Sequence, residues 1–215
     1  MITSAPQTLE QFFAPFDQKT FSKGDVLFAS DVTPQHAYYI KSGYVRSYTL
    51  SSEGVELTIH IFSPQTCFPM MTILSNLDNR YFYEALTDVE IIAAPKDQVA
   101  DFITSHTEVL LDFTNRLLRG LDKLTMRIEY LALQSSQKRI ISAILFLAHH
   151  FSTVHDNTAL FTYAFTHRDL ASFAGVSRET ASREWKKLMS DGLVGMDQHF
   201  IVIHDIQRLT VLGNI

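Results

Sequence analysis

The residues with most chemistry to offer stand on one short stretch, Thr166–Val194, which reads THRDLASFAGVSRETASREWKKLMSDGLV. At about 100° per residue, Arg178, Glu179, Ser182, Arg183 and Lys186 fall on one side of a helix. Arginine matches the O6 and N7 acceptors of guanine, and glutamate accepts from the cytosine amino group. Ser177, Thr180 and the helix N-terminus suit phosphate oxygens. This is the chemistry of reading base edges and holding a nucleic-acid backbone.

Two helices and a turn must position those side chains. Thr166 caps a first helix and Asp169 follows three residues on, a capping-box pattern with Asp in place of Glu or Gln. Gly175 interrupts that helix and permits the sharp bend of a helix-turn-helix. Ser177 caps a second helix running to about Ser190, which Gly192 ends. On its other side Ala181, Trp185, Leu188 and Met189 are expected to pack on Leu170 and Phe173. Leu193–Met196 and Phe200–Ile203 then flank Asp197-Gln198-His199, a hairpin that makes the unit a winged helix. Thr166–Val194 holds five Lys or Arg against four Asp or Glu, so charge alone would describe an ordinary solvated helix. The ordered succession of caps, glycine turn, two-faced helix and hairpin is what points to DNA.

GVSRETASR preceded by THRDLASFA closely resembles the DNA-reading motif of the Crp/Fnr regulators, the cyclic-AMP receptor protein and its relatives. The resemblance implies base contacts from Arg178, Glu179 and Arg183. Ser182 joins them, because Glu179, Ser182 and Arg183 match the E-x-x-S-R pattern of the oxygen-sensing branch. It implies phosphate contacts from Thr166, His167, Ser177 and Thr180, with His167 standing where Arg is often found; Lys186, on the outward face, is assigned to phosphate too. The implied operator is an inverted repeat with TGA-like half-site cores, and a parallel homodimer would space its reading helices about one DNA turn, roughly 34 Å, apart.

The 215 residues suffice for one large or two small domains, and 46% hydrophobic against 19% charged residues describes a globular chain. No apolar run approaches the ~18 residues of a membrane span, and no signal peptide is visible. A single cysteine, Cys67, leaves no internal disulfide and fits a reducing cytoplasm. The net charge of −5 is unusual for a nucleic-acid binder. It is concentrated in residues 1–133, with 10 basic and 16 acidic side chains, whereas residues 134–215 carry 8 and 7. Specific binding then calls for local basic clustering and two linked copies. Lys138 and Arg139 are candidates for additional phosphate contacts, or simply a solvated helix end.

The fold expected is α+β. A short helix over Met1–Gln18 (Leu9, Phe12, Phe13, Phe16) precedes strands in KTFSKGDVLF, AYYIKSGYVRSYTL and VELTIHIF and at Tyr81–Leu86 and Val89–Ala94, with turn chemistry between them. Such short strands argue for a β-barrel or jelly roll. YYIKSGYVR in particular resembles the cyclic-nucleotide-binding-like barrel of the Crp/Fnr family. A short helix follows at Pro95–Ile103, and a long one from about Thr107 to Gln134. Its Leu110, Phe113, Leu117, Leu121, Leu124, Ile128 and Leu131 are spaced 3, 4, 4, 3, 4 and 3, a nearly heptad seam that either packs on its own barrel or meets a partner helix. The resemblance favours the partner. Ser135-Ser136 caps the next helix, Gln137–Phe151; Ser152–Ala159 reads as a polar loop, roughly where family members touch RNA polymerase, and Phe161–Phe165 as a strand. The domains are therefore 1–106, an effector-sensing barrel; 107–134, a dimerisation helix; and 135–215, a winged helix.

The barrel's input is least legible. Cyclic-nucleotide binders of the family carry G-E-[LI] and a nearby R-[ST] pair; Cys67–Glu84, CFPMMTILSNLDNRYFYE, has no Gly-Glu, and Arg80 precedes Tyr81. The effector is thus expected to be something other than cyclic AMP. An iron–sulfur cluster needs about four thiolates. His36, His60, Cys67, Met70 and Met71 include haem-ligand types, so haem stays open; Cys67 is a thiol sensor or an inert core residue. His149-His150 has no matching third ligand. Tyr38-Tyr39 and Tyr81-Phe82-Tyr83 line a pocket or fill the core. No phosphate loop, metal-ligand spacing or nucleophile elbow suggests an enzyme. The leading reading is a homodimeric transcription regulator; the alternative is a haem, redox or small-molecule sensor acting through protein contacts.

Overall fold

In the computed structural model, which describes residues 5–75 and 77–213, two units each carry their own core. One comprises residues 1–49 and 58–123, the other residues 50–57 and 124–215. The elements in chain order begin with α1 (Ala5–Phe13), β1 (Asp17–Phe21), β2 (Val26–Phe28), β3 (His36–Ser42), β4 (Val45–Leu50), β5 (Glu56–Phe62) and β6 (Cys67–Phe68). There follow α2 (Met70–Ser75), β7 (Phe82–Ala85), β8 (Val89–Pro95), α3 (Lys96–Ser105) and the 27-residue α4 (Thr107–Leu133). The remainder is α5 (Ser136–Phe151), β9 (Ser152–His155), β10 (Thr158–Phe161), α6 (His167–Ala174), α7 (Arg178–Ser190), β11 (Val194–Asp197), β12 (Phe200–Ile203) and α8 (Ile206–Gly213).

The first unit is a jelly roll of two antiparallel four-stranded sheets, ordered β1-β8-β3-β6 and β2-β7-β4-β5. In the first of these, the two central strands, β8 and β3, are buried on both faces, whereas the edge strand β1 is mostly exposed. Because side chains alternate along a strand, Ala37 and Tyr39 of β3 and Ile92 and Ala94 of β8 face one cluster, completed by Phe13, Val99 and Ile103 of the helices. Ile40 of β3 and Val89 and Ile91 of β8 face the other, between the sheets. That inter-sheet space is filled with rings. Phe28 stacks on Tyr83 at 4.4 Å, Tyr38 on Phe68 at 5.4 Å, and Phe62 lies 5.1 Å from Phe68. Tyr38, Tyr39 and Tyr83 are therefore core residues, and burial raises the hydroxyl pKa of each, that of Tyr39 to about 12.

The β3–β4 turn within YYIKSGYVR depends on Gly43. Its φ is +80°, and a Cβ there would sit 2.1 Å from the Asp88 carbonyl oxygen and 2.7 Å from Cγ2 of Val89. The next residue locks the turn: the Tyr44 amide donates to Thr87 Oγ1 at 2.9 Å, and its carbonyl accepts from Leu86 at 2.8 Å.

The second unit packs α5, α6 and α7 with the sheet β11-β12-β10-β9. Ile140, Ile144 and Leu147 of α5, Leu170 of α6, and Trp185 and Leu188 of α7 supply buried side chains. Two expectations change here. The segment expected as a polar loop, Ser152–Ala159, forms β9 and the start of β10, paired through Thr158↔His155 to Phe161↔Ser152. The strand expected over Phe161–Phe165 is that same β10 and stops at Phe161, because only Ala159 and Phe161 alternate inward; Phe165 is buried beyond it. The Asp156-Asn157 turn is a working part. Asn157 accepts from the Gln207 amide at 2.9 Å and donates to Asp205 Oδ1 at 2.9 Å, and Asp205 in turn accepts from the Arg208 amide at 2.8 Å. The hairpin thereby caps α8, a helix the sequence reading did not contain, as it did not contain α2. The N-terminal helix, described from Ala5, ends at Phe13 rather than running to Gln18, since β1 begins at Asp17; Met1–Ser4 lie outside the described residues.

Substituting Gly43→Ala should destabilise the barrel by more than roughly 1 kcal/mol, since both the backbone angle and the contact with Asp88 oppose a side chain. In a chain of this size that is a drop of about 2–4 °C or more in thermal midpoint. An unchanged midpoint in a calorimetric scan would show that the turn relaxes freely.

Candidate nucleic-acid interface

The two helices of the motif are built by local hydrogen bonds. At the start of α6 the Asp169 amide donates to Thr166 Oγ1 at 3.2 Å and the Thr166 amide donates to Asp169 Oδ2 at 2.7 Å, a reciprocal capping box. The helix ends on Gly175 in the left-handed region, φ 61° and ψ 44°, and the Val176 amide closes onto Ala171 at 3.1 Å. Ser177 opens α7 by accepting from the Thr180 amide at 3.2 Å. From α5, Arg139 Nη1 donates to the Gly175 carbonyl at 3.1 Å, placing a cation at the negative end of α6. Arg139 is thus braced against the turn rather than left as a solvated helix end.

The seating of α7 fixes what it can present. Ala181, Glu184, Trp185 and Leu188 are buried, an i, i+3, i+4, i+7 stripe. Met189, expected inward, is 44% exposed, because it lies one position beyond that stripe; Glu184 occupies the inner position instead. Ser177, Arg178, Glu179, Arg183 and Lys186 are exposed, and Thr180 and Ser182 half-buried. Glu179, Ser182, Arg183, Lys186, Lys187 and Ser190 line one shallow concavity along the helix.

The electrostatics suit a groove. The Glu179 carboxyl is held below its usual range, first by its own backbone amide and next by the Ser177 hydroxyl, so it remains an acceptor. His167, the first residue of α6, lies with its ring 5.8 Å from that of Trp185. Partial burial lowers its pKa, and the neighbouring charges of Arg178 and Lys186 lower it further. Thr166, His167, Ser177, Thr180 and Lys186 thus gather at the N-terminal ends of α6 and α7 and on the exposed face of α7.

Comparison with known proteins follows the same division. The cyclic nucleotide-binding domain family matches residues 18–106, and the Crp-like helix-turn-helix domain family matches residues 138–212. The chain belongs to the Crp/Fnr family. It is 28% identical to the transcriptional regulator SdrP of Thermus thermophilus over 196 residues, 90% of this chain and 93% of that protein. It is 24% identical to the cyclic AMP receptor protein of the same organism, covering 95% of this chain and 92% of the relative. Among solved structures, the c-di-GMP responsive global regulator CLP of Xanthomonas campestris superposes with a TM-score of 0.80 at 20% identity, covering 91% of this chain and 97% of that one. This Crp/Fnr member is a transcription regulator with a DNA-binding helix-turn-helix, and not an enzyme.

The other sequence candidates are distributed as follows in the Crp/Fnr framework. On α4, Leu110, Leu117, Leu121, Leu124 and Ile128 are exposed, with Leu121 at 59% and Ile128 at 60%. Phe113 packs against the helix-side cluster of its own barrel. Leu111 and Leu118, absent from the expected seam, are exposed as well. Leu131 lies in the helix, but its side chain is outside the described residues. Arg80 is exposed. Cys67 packs beside the helix-side cluster and burial pushes its thiol up to about 12, which disfavours the reactive thiolate a redox sensor needs. Met70 is buried in that cluster, whereas His36, His60 and Met71 are exposed. Among the described residues, no group of three or more His, Cys, Asp or Glu side chains is placed to hold a metal. His149 and His150 occupy the last turn of α5. None of the described helices is long and apolar enough to cross a membrane. Sequence reasoning missed Arg139 as the brace of the turn and Glu184 as a buried acid.

Proposed function

We propose that the protein is a homodimeric, sequence-specific transcription regulator that reads an inverted-repeat operator with α7. The observation that carries this reading is the outward face of an anchored helix: Arg178, Glu179 and Arg183 stand exposed at its N-terminal half while Trp185 and Leu188 are buried behind them. Arg178, Glu179, Ser182 and Arg183 contact base edges in the major groove; Thr166, His167, Ser177, Thr180 and Lys186 contact phosphates. The division of labour is 1–106 for sensing, 107–134 for dimerisation and 135–215 for DNA. The exposed leucines of α4 support the dimer, because so many apolar side chains on one long helix favour burial against a partner helix. The work is cytoplasmic, and RNA polymerase is the expected protein partner.

The relatives include a cyclic AMP receptor protein and a c-di-GMP responsive regulator, so input varies among chains of this fold. Here the input to the barrel is something other than cyclic AMP. Stacked Phe28, Tyr38, Phe68 and Tyr83 occupy the space between the sheets, and Arg80 faces solvent. Adding cyclic AMP should leave both thermal midpoint and operator affinity unchanged; a rise in either defeats this part of the reading.

Arg178→Ala and Arg183→Ala should each weaken binding to a selected operator by about 1–3 kcal/mol and relax base preference at one position per half-site. Fluorescence anisotropy on matched and mutated duplexes measures both, and unchanged operator affinity in both variants excludes direct reading by α7. Leu121→Asp should convert the dimer to a monomer in sedimentation and abolish operator binding with it; a variant that stays dimeric removes this seam from the interface.

His167 adds a pH dependence with a definite sign. Its imidazole pKa is depressed in the free protein, by burial first and then by Arg178 and Lys186, so the ring is neutral at pH 7. An adjacent phosphate favours imidazolium, so the bound pKa is the higher one and binding takes up a proton. Operator affinity should therefore rise as pH falls from ~8 to ~6, by up to about ten-fold. His167→Gln should flatten that rise, and a variant that retains the whole of it shows His167 to be away from phosphate.

A further inference from the structure

The inner stripe of α7 contains an acid where packing alone asks for an apolar residue. Glu184 is 3% exposed, level with Ala181, Trp185 and Leu188. Its Oε1 accepts from Arg183 Nε at 3.2 Å, and Lys187 Nζ donates to Oε2 at 3.0 Å and to Oε1 at 3.3 Å. Both cations reach back from the surface: their side chains are 60% and 55% exposed, against 4% for the glutamate. Burial pushes the Glu184 carboxyl up, but the hydrogen bonds from Lys187 and Arg183 outweigh burial and leave it below its usual range, so the group is a carboxylate at neutral pH. A buried carboxylate is costly unless paired, and a hydrophobic side chain of similar volume would seat the helix without that cost.

What the acid does is restrain an arginine. A free guanidinium on four rotatable bonds samples many directions, and ordering it on binding weakens the complex. The contact to Glu184 uses Nε and leaves both Nη groups of an exposed side chain for a partner, and two parallel N–H donors are what guanine O6 and N7 accept. The same carboxylate holds Lys187, so two cations beside the groove face are already partly neutralised and attract phosphate less indiscriminately.

We propose that Glu184 is a specificity-determining positioning residue, which pre-orients Arg183 for one guanine and withholds Arg183 and Lys187 from non-specific phosphate contact. This rests on the reading of DNA by α7 proposed above. Glu184 touches no base itself and acts through its neighbour.

The test uses the full-length protein, first to select an operator from a random duplex pool and then to titrate that operator and random duplex across a salt series. Glu184→Gln keeps the volume and removes the charge. It should lower the operator-over-random preference about ten-fold, near the lower end of what a bidentate arginine–guanine pair contributes. The loss should be concentrated at the base pair whose preference Arg183→Ala relaxes. The slope of log affinity against log salt on random duplex should steepen by about one as the released cations find phosphates. A mere loss of fold would lower all affinities together without moving base preference. Glu184→Met, of similar size and without the hydrogen bonds, should show the same relaxation more strongly. A folded Glu184→Gln or Glu184→Met protein with the original preference and slope overturns the proposal. If neither variant folds, the carboxylate is a structural group and the proposal falls as well. Should the unaltered protein select no sequence from the pool, it is the reading of DNA by α7 that fails, taking this inference with it.

Discussion

The left-handed backbone at Gly175 sets the angle between α6 and α7, and the rest of the interface depends on that angle. Helices of 8 and 13 residues are too short to be stable alone in water, so neither can define the geometry by itself. Three devices do it together. Thr166 with Asp169 fixes where α6 begins, Ser177 fixes where α7 begins, and Arg139 reaches from α5 to hold the carbonyl between them. Packing then completes what the caps start, because Trp185 and Leu188 must be buried for Arg178 and Arg183 to point away.

Charge plays a smaller part than the function suggests. The chain is acidic overall, and residues 134–215 are close to neutral. Glu184 neutralises part of the little positive charge that α7 has. A protein built this way gains modest affinity from its field alone, so the operator reading proposed above rests on geometry: directed donors, capped helix ends and, in the proposed dimer, two copies on one duplex. On the proposed reading, the same logic suits a helix surface in which Glu179 remains charged beside two arginines, since an acceptor among donors can discriminate bases where a uniform cationic patch cannot.

Much of this was legible in the sequence, because its signals are local. The capping box, the glycine bend and the second cap each lie within a few residues, and all three stand where the sequence places them. The long helix was readable from its leucine spacing, and the barrel from short strands with turn residues between them. What escaped depends on tertiary contact. A helical projection cannot decide whether Phe113 meets its own barrel or another chain, and it packs on its barrel. The same projection placed Met189 inward, whereas the stripe runs through Glu184; a glutamate at that position gives no hint of burial until its two partners are seen. Ser152–Ala159 looked like a loop because an edge hairpin with one apolar face is mostly polar in composition. Its Asp156-Asn157 turn was the available sign, and its capping of α8 joins residues about fifty positions apart.

The doubly covered strands β3 and β8 of the barrel bear on how such a chain can vary. In β3, Tyr39 serves the helix side while its neighbour Ile40 serves the inter-sheet side, and in β8 Ile92 and Ile91 divide the same way. Inserting or deleting one residue within either strand would exchange the tenants of both cores at once, delivering rings to a niche shaped for alanine and the reverse. Drift in length is thereby confined to the connections, while the two central strands can change only by substitution in place.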